Sequence, residues 1–195
     1  MIVLPKPLVL ASASPRRQSL LRALGLPFQV LASHCDESFP ESTPADEVPG
    51  LLALRKAREV WAQVPEALVL AADTVVHLEG QILNKPADAA EARYMLQSLS
   101  GKSHQVFTGY CLLETGREVH RVDTAQVQFR TLLPAEIDWY IQNHPPYDKA
   151  GAYGIQEWIG MVGCQRIEGS YFTVMGLPTH RIWQDLLEWY PVPKG

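Results

Sequence analysis

Six consecutive residues, Ser12-Ala13-Ser14-Pro15-Arg16-Arg17, place two hydroxyls and two guanidinium groups directly after an apolar run that begins at Leu8. A serine followed by proline marks a helix start, where backbone N–H groups lack intrahelical partners and the positive end of the helix dipole points outward. Anions bind well at such a point. Ser12 and Ser14 can donate to phosphate oxygens, and Arg16 and Arg17 offer planar forks for bidentate contacts. An ordinary N-cap at Ser14 with two solvated arginines accounts for the same residues, and the segment alone leaves both readings open.

A second signal is Asp73, a carboxylate set in the otherwise apolar stretch Leu70-Ala71-Ala72-Asp73-Thr74-Val75-Val76. Burying an unpaired carboxylate is costly, so Asp73 must meet a cation, a metal or strong donors. A bond from its side chain to nearby backbone would also satisfy it. Glu37, Lys56 and Lys85 stand near expected loop or helix edges, where a lysine can reach a phosphate as a point charge. Singly, each reads first as a solvated surface charge. Asp148-Lys149-Ala150-Gly151-Ala152-Tyr153-Gly154-Ile155-Gln156 carries two glycines that let backbone approach a ligand, and Gln156 has an amide able to read a base edge. As an isolated glycine loop it reads first as a simple turn.

The elements that must position these groups follow from periodicity. Leu8 to Ser12 reads as a short buried strand, and the helix opening at Ser14-Pro15 shows Leu20, Leu21 and Leu24 on one face before Gly25 ends it. Phe28 to Ala32 is a second expected strand, followed by a polar loop from Ser33 to Pro44. A helix from Pro49-Gly50 carries Leu51, Leu52, Leu54, Val60 and Trp61. Ala67 to Val76 reads as a central strand with a hairpin tip at Glu79-Gly80. Further on come a helix from Asp88 to Leu99, a hairpin across Glu114-Thr115-Gly116, a helix from Pro134 to Gln142 and a flexible connection at Gly151 to Gly154. A strand pair around Met161 to Arg166 and Tyr171 to Val174, then a helix from Pro178 to Trp189, close the pattern. Strands interleaved with helices, with hairpins beside crossovers, predict an α/β or α+β layer structure around a mixed central sheet flanked by helices.

Composition narrows the function classes. A chain of 195 residues with 47% hydrophobic and 19% charged residues has the makeup of a self-sufficient globular domain. Its formal net charge of −4 and the lack of basic blocks argue against a nucleic-acid polymer and favour a small anionic ligand. Cys35, Cys111 and Cys164 lack zinc or disulfide spacing, and the histidines show no metal-binding motif. No signal peptide or membrane span is legible, so a cytoplasmic location without membrane contact is expected.

Taken in order, several stretches resemble the Maf family of nucleoside triphosphate pyrophosphatases, from Leu8 to about Trp183. They are Leu10 to Leu21, Asp36-Glu37, Leu54-Arg55-Lys56-Ala57, Ala72-Asp73-Thr74-Val75-Val76, Asn84-Lys85-Pro86, Leu99-Ser100-Gly101 and Asp148 to Gln156. The resemblance implies one domain over residues 1–195, with an α/β, inosine triphosphatase-like fold of two lobes around a deep cleft. It also implies cleavage of an α,β-phosphoanhydride to a nucleoside monophosphate and pyrophosphate, with a divalent cation, Mg²⁺ or Mn²⁺, required. By the same transfer Asp73 is the proton acceptor, and Ser12, Ser14, Arg16, Arg17, Glu37, Lys56, Thr74, Lys85 and Gln156 contact the substrate, with Glu37 and Asp73 as metal ligands.

Within that family Arg16, Thr74 and Gln156 look like the branch that prefers dTTP and UTP. A branch acting on 7-methyl-GTP tends to carry tryptophan at the first of these positions and glutamine at the second, and this sequence has neither. The resemblance also links the protein to exclusion of non-standard nucleotides and to cell-division arrest. A non-catalytic nucleotide-binding regulator of septum formation is therefore the competing class, and a homodimer stays open.

Overall fold

The computed structural model describes residues 2–192. They form a mixed α/β structure with strands β1 (Leu8–Leu10), β2 (Gln29–Val30), β3 (Leu68–Leu78), β4 (Gln81–Leu83), β5 (Ser103–Glu114), β6 (Arg117–Phe129) and β7 (Cys164–Glu168). The helices are α1 (Pro15–Ala23), α2 (Val48–Trp61), α3 (Ala89–Leu99), α4 (Pro134–Asn143), α5 (Trp158–Gly163), α6 (Tyr171–Met175) and α7 (Thr179–Trp189). Strand order is β2-β1-β3-β5-β6-β7, with β4 paired to β3. The expected mixed sheet is present: β1 runs parallel to β2 and β3, whereas β3–β4 and β6–β7 are antiparallel.

The chain divides into two compact units, neither contiguous in sequence. The first comprises the chain up to Asp73, then Thr108–Asp123, then the chain from Gly176 onward. Its parallel strands pair in the register Val9↔Gln29 and Val9↔Val69, so β1 lies between its two successors in sequence. The core on one face joins Val9, Ala11, Val69 and Ala71 to Ala53, Ala57 and Val60 of α2. Those α2 positions recur at helical spacing, and small alanines let the helix lie close to the sheet. Close approach continues at β5: a Cβ on Gly109 would lie 2.3 Å from backbone atoms of Pro49 and Gly50, so only glycine fits beneath the start of α2.

The second unit comprises Thr74–Phe107 and Thr124–Met175. Glu79 and Gly80 turn β3 into β4 with φ of 48° and 85°, the left-handed pair that a tight hairpin requires. Helix α3 starts at Asp88, whose carboxylate accepts from the Glu91 N–H at 2.9 Å. The core packs Leu96, Leu99 and Ile137 against Val127, Phe129, Tyr153 and Ile159.

Two expectations fail here. Residues 151–154 are no loose connection: a 3₁₀ turn over Ala150–Ala152 buries them, and Tyr153 packs edge-on against Phe129 and His104. The strand pair expected around Met161 and Tyr171 is also absent. Met161 and Tyr171 belong to helices α5 and α6, and β7 pairs with β6 instead, Val127 opposite Ile167. An apolar run of a few residues cannot by its period alone distinguish a short helix from a strand, and here the tertiary partner decides.

Candidate active site

Parallel strands β1, β2 and β3 of the first unit share one direction, and β1 sits between the other two. The connections leaving β1 and β2 therefore run to opposite sides of β1. In open α/β sheets such a switch point opens a crevice beyond the carboxyl ends of the strands. The segments emerging there carry the residues singled out by type: Ser12 to Arg17 after β1, Glu37 after β2, and Asp73 farther along β3.

Asp73 is 9% exposed, and its Oδ1 accepts from Lys56 Nζ at 2.6 Å. The same ammonium reaches Glu37 Oε1 at 2.7 Å. Lys56 belongs to the core-facing row Ala53-Lys56-Ala57-Val60 of α2, which places its amine against the strand. Burial pulls the Lys56 amine down, but the Asp73 charge and the bonds to Asp73 and Glu37 outweigh it and raise the group above its ordinary value. It remains an ammonium throughout the neutral range. The acceptor demand on Asp73 is thus met by a cation, and the alternative of a side chain spent on backbone is not needed.

Helix α2 also fixes the loop that bears Glu37. Arg55 donates to the carbonyls of Asp36 and Ser38, and Glu59 accepts from the Ser33 hydroxyl and from the His34 N–H at 2.9 Å. Asp36 accepts from the Ser38 N–H at 2.9 Å and its hydroxyl, which holds the Asp36 carboxyl below its ordinary value.

At the helix start Ser14 occupies the N-cap position without a capping bond from its side chain, which removes the main support for a purely structural role. Ser12 Oγ accepts from the Ser14 N–H and from Arg17 Nη1, both at 3.3 Å. With its lone pairs engaged, the Ser12 hydroxyl has its proton to donate. Arg17 Nε donates to the Gly176 carbonyl at 2.9 Å, anchoring one edge of its fork. Burial lowers the Arg17 guanidinium, and the charges of Asp73 and Glu37 oppose that shift. Arg16 is half-buried beside it. Ser12, Arg17, Glu37, Lys56 and Asp73 thus form one electrostatically coupled group, with Ser14 and Arg16 in the same helical turn.

The other expected contacts belong to the second unit. Thr74 is adjacent to Asp73 on β3, and alternation turns it to the opposite face, the one that also carries Val76. Gly151, at φ 68°, packs against Val76, where a Cβ would stand 3.0 Å from its methyl, and the Gly151 N–H donates to the Asn84 carbonyl at 3.2 Å. Lys85, exposed, is therefore tied through its neighbour to the segment that carries Gln156. The Gln156 Oε1 is buried without a hydrogen-bond partner.

The Maf family model, described as Maf-like protein, matches residues 7–189. The chain belongs to the Maf family. Among its Maf relatives, the dTTP/UTP pyrophosphatase of Symbiobacterium thermophilum is 46% identical over 189 residues, covering 96% of this chain and 97% of that protein. The dTTP/UTP pyrophosphatase of Halalkalibacterium halodurans is 47% identical over 176 residues, covering 90% and 92%. Among solved structures, the Staphylococcus aureus Ham1 protein matches 64% of this chain and 72% of its own at 16% identity, with a TM-score of 0.45.

Sequence reasoning on this Maf chain missed three residues. Lys149 is buried with its Nζ 2.7 Å from Asp148 Oδ1 and 3.1 Å from Glu157 Oε1, and Tyr140 donates its hydroxyl to the other oxygen of Glu157. Lys149 lies within the Asp148 to Gln156 segment, but its burial has no local signal in the sequence. Tyr140 sits at ordinary helical spacing with Ile137 and Ile141, so its polar end was indistinguishable from a core aromatic.

Proposed function

We propose that this protein hydrolyses dTTP and UTP to the nucleoside monophosphate and pyrophosphate. The observation that carries the reading is the buried Asp73–Lys56 pair, with the exposed Glu37 on the same ammonium, just past the parallel-paired part of β3 and in the unit that carries the Ser12 to Arg17 helix start. Relatives of nearly equal length that are named dTTP/UTP pyrophosphatases support the substrate class.

In this reading the triphosphate oxygens are met by the Ser12 and Ser14 hydroxyls, the α1 backbone N–H groups, and the charges of Arg16, Arg17 and Lys56, with Lys85 as a further cation. Neutralising the phosphates is a precondition for approach of a nucleophile, and preorganised cations do so without reorganising during the reaction. Asp73 takes the proton from the water that cleaves the α,β bridge. Lys56 fixes the plane of that carboxylate through its bond to Oδ1.

Glu37 and Asp73 fit a divalent cation as well. Both already converge on one positive charge, and Mg²⁺ characteristically takes one or two carboxylates and completes its shell with waters and substrate phosphates. Among the described residues no cluster of three His, Cys, Asp or Glu exists, so substrate oxygens would complete such a site. Held by Glu37 and Asp73, a divalent cation, Mg²⁺ or Mn²⁺, would supply charge stabilisation to the leaving pyrophosphate.

Gln156 is assigned to the base, with Thr74 and Arg16 as the other selectivity positions. Its unpaired buried Oε1 is an acceptor suited to the N3–H that uracil and thymine share. We place the protein in the cytoplasm, consistent with free cysteines at 35, 111 and 164 and with no described helix long and apolar enough to cross a membrane.

The test is a nucleotide panel with Mg²⁺ or Mn²⁺, separating pyrophosphate from orthophosphate release. Pyrophosphate from dTTP and UTP is the expected outcome. Release only from 7-methyl-GTP would overturn the substrate assignment, and orthophosphate alone would overturn the bond cleaved.

A further inference from the structure

We infer that Gly176 is a positioning residue for Arg17: its main-chain carbonyl takes the Nε–H of the guanidinium and so sets the plane in which the rest of the fork meets the triphosphate. The inference rests on the reading of Arg17 as a phosphate contact.

An arginine in the first turn of a helix is a poor anion clamp unless something orders it. Its side chain has among the largest rotamer freedom of any residue, and an anion that must first quench that freedom binds more weakly. A bond to Nε is the most effective restraint. The Nε–H and the two terminal nitrogens share one rigid plane, so fixing Nε fixes the direction of Nη1 and Nη2. Lysine has no equivalent second handle.

The structure supplies that bond. Arg17 Nε donates to the Gly176 carbonyl at 2.9 Å, between residues 159 apart in sequence, and Nη1 donates to Ser12 Oγ at 3.3 Å. Both acceptors are neutral, so these two bonds orient the guanidinium without cancelling its charge. All three residues belong to the first unit.

The carbonyl is carried on a turn that opens α7. Gly176 has φ of 104°, a conformation that residues with a side chain rarely adopt. Leu177 is fully buried, and Pro178 has a ring-fixed φ. The Thr179 N–H donates to the Leu177 carbonyl at 2.8 Å and the Ile182 N–H to the Pro178 carbonyl at 3.1 Å, which joins the turn to the helix. A carbonyl held in this way has little room to move. A glycine that merely ended α6 would account for the positive φ, but not for the carbonyl placed on Arg17.

Gly176→Ala strains the turn and risks the fold, so the test alters the acceptor alone. Cys164 follows Gly163 and provides a junction at which a synthetic peptide spanning 164–195 is ligated to a 1–163 thioester, giving the full chain. Replacing Leu177 in that peptide by its α-hydroxy acid turns the Gly176–Leu177 amide into an ester, whose carbonyl accepts more weakly. The parent and the ester are compared with Arg17 present and with Arg17→Ala. The dissociation constant for inorganic tripolyphosphate is measured beside kcat and KM for UTP. The ester is expected to weaken tripolyphosphate binding and to raise the KM for UTP about fivefold, with kcat held within about twofold. In the Arg17→Ala background it should change neither, since a group that acts through Arg17 has no effect without it. Unchanged tripolyphosphate affinity in the ester, or the same loss with and without Arg17, would overturn the inference. Arg17→Lys, expressed as an ordinary variant, keeps the charge but has no Nε–H, and affinity equal to the parent's would overturn it as well. A parent that leaves UTP intact, while the ester still weakens tripolyphosphate binding only when Arg17 is present, would overturn the reaction and support the anchor.

Discussion

Lys56 Nζ lies 2.6 Å from Asp73 Oδ1, and the lysine that makes this bond sits in the core-facing row of α2, where alanine and valine occupy the neighbouring positions. A charge at such a position is tolerated only when its partner is equally fixed. Lys56→Met would leave Asp73 buried without its cation. It is expected to cost about 3 kcal/mol in denaturant titration at neutral pH. The double variant Lys56→Met/Asp73→Asn should recover a substantial part of that loss, because the uncompensated anion is gone. Equal stability of the single variant and the parent would show that the pair carries no such burden.

Arg55 touches no proposed substrate group, yet it spans the two carbonyls that shape the loop before and after Glu37. Arg55→Ala should raise the Mg²⁺ or Mn²⁺ concentration needed for half-maximal activity about tenfold while leaving thermal stability nearly unchanged, the pattern of a support removed from behind a ligand. A metal titration on the purified variant decides it.

His104 is 2% exposed, and burial holds it down at about 4. Its Nε2 shares a hydrogen bond of 2.8 Å with the Tyr153 hydroxyl, and Nδ1 has no partner. The depressed group stays neutral in the folded state while an unfolded histidine takes a proton at about 6.5. Between those values the unfolded state binds more protons, so stability rises with pH and falls on acidification through this window, by about 3 kcal/mol when complete. Urea midpoints measured at pH 7.5 and pH 4.5 should show a smaller difference in His104→Gln than in the parent. Identical differences would exclude His104 as a source of the acid lability.

Gly160 sits where a Cβ would lie 2.0 Å from the Ile155 carbonyl oxygen, so helix α5 rests directly on the backbone just before Gln156. Gly160→Ala must push these segments apart. A loss of about 2 kcal/mol is expected from overpacking, together with a rise in KM for UTP that exceeds any change in kcat. An unaltered KM would separate α5 packing from base recognition.

These same residues show what the sequence could and could not reveal. Strand β1, the proline-led start of α1, the Glu79-Gly80 hairpin and helix α7 all appear where local chemistry dictates them. Asp73 stood out because a carboxylate in an apolar strand demands a partner. That partner was also legible in principle: Lys56 shares helical spacing with Ala53, Ala57 and Val60, but the larger leucines at 51 and 54 drew the apolar face toward themselves. The region from Met161 to Tyr171 misled because short apolar runs take helix or strand according to what covers them, and that cover is contributed by distant segments. The Glu157–Tyr140–Lys149 contacts were out of reach for the same reason, since no spacing rule connects residues 140 and 157.

In the proposed function, Asp73 converts a phosphate-binding helix start into a hydrolytic site. Pyrophosphate release from UTP at saturating substrate and Mg²⁺, compared between the parent and Asp73→Asn with folding verified by circular dichroism, tests it most directly. A fall in kcat of about a thousandfold is expected in a folded protein that still binds nucleotide. An Asp73→Asn protein that retains turnover within about tenfold of the parent would contradict it, because a positioned base contributes more than that.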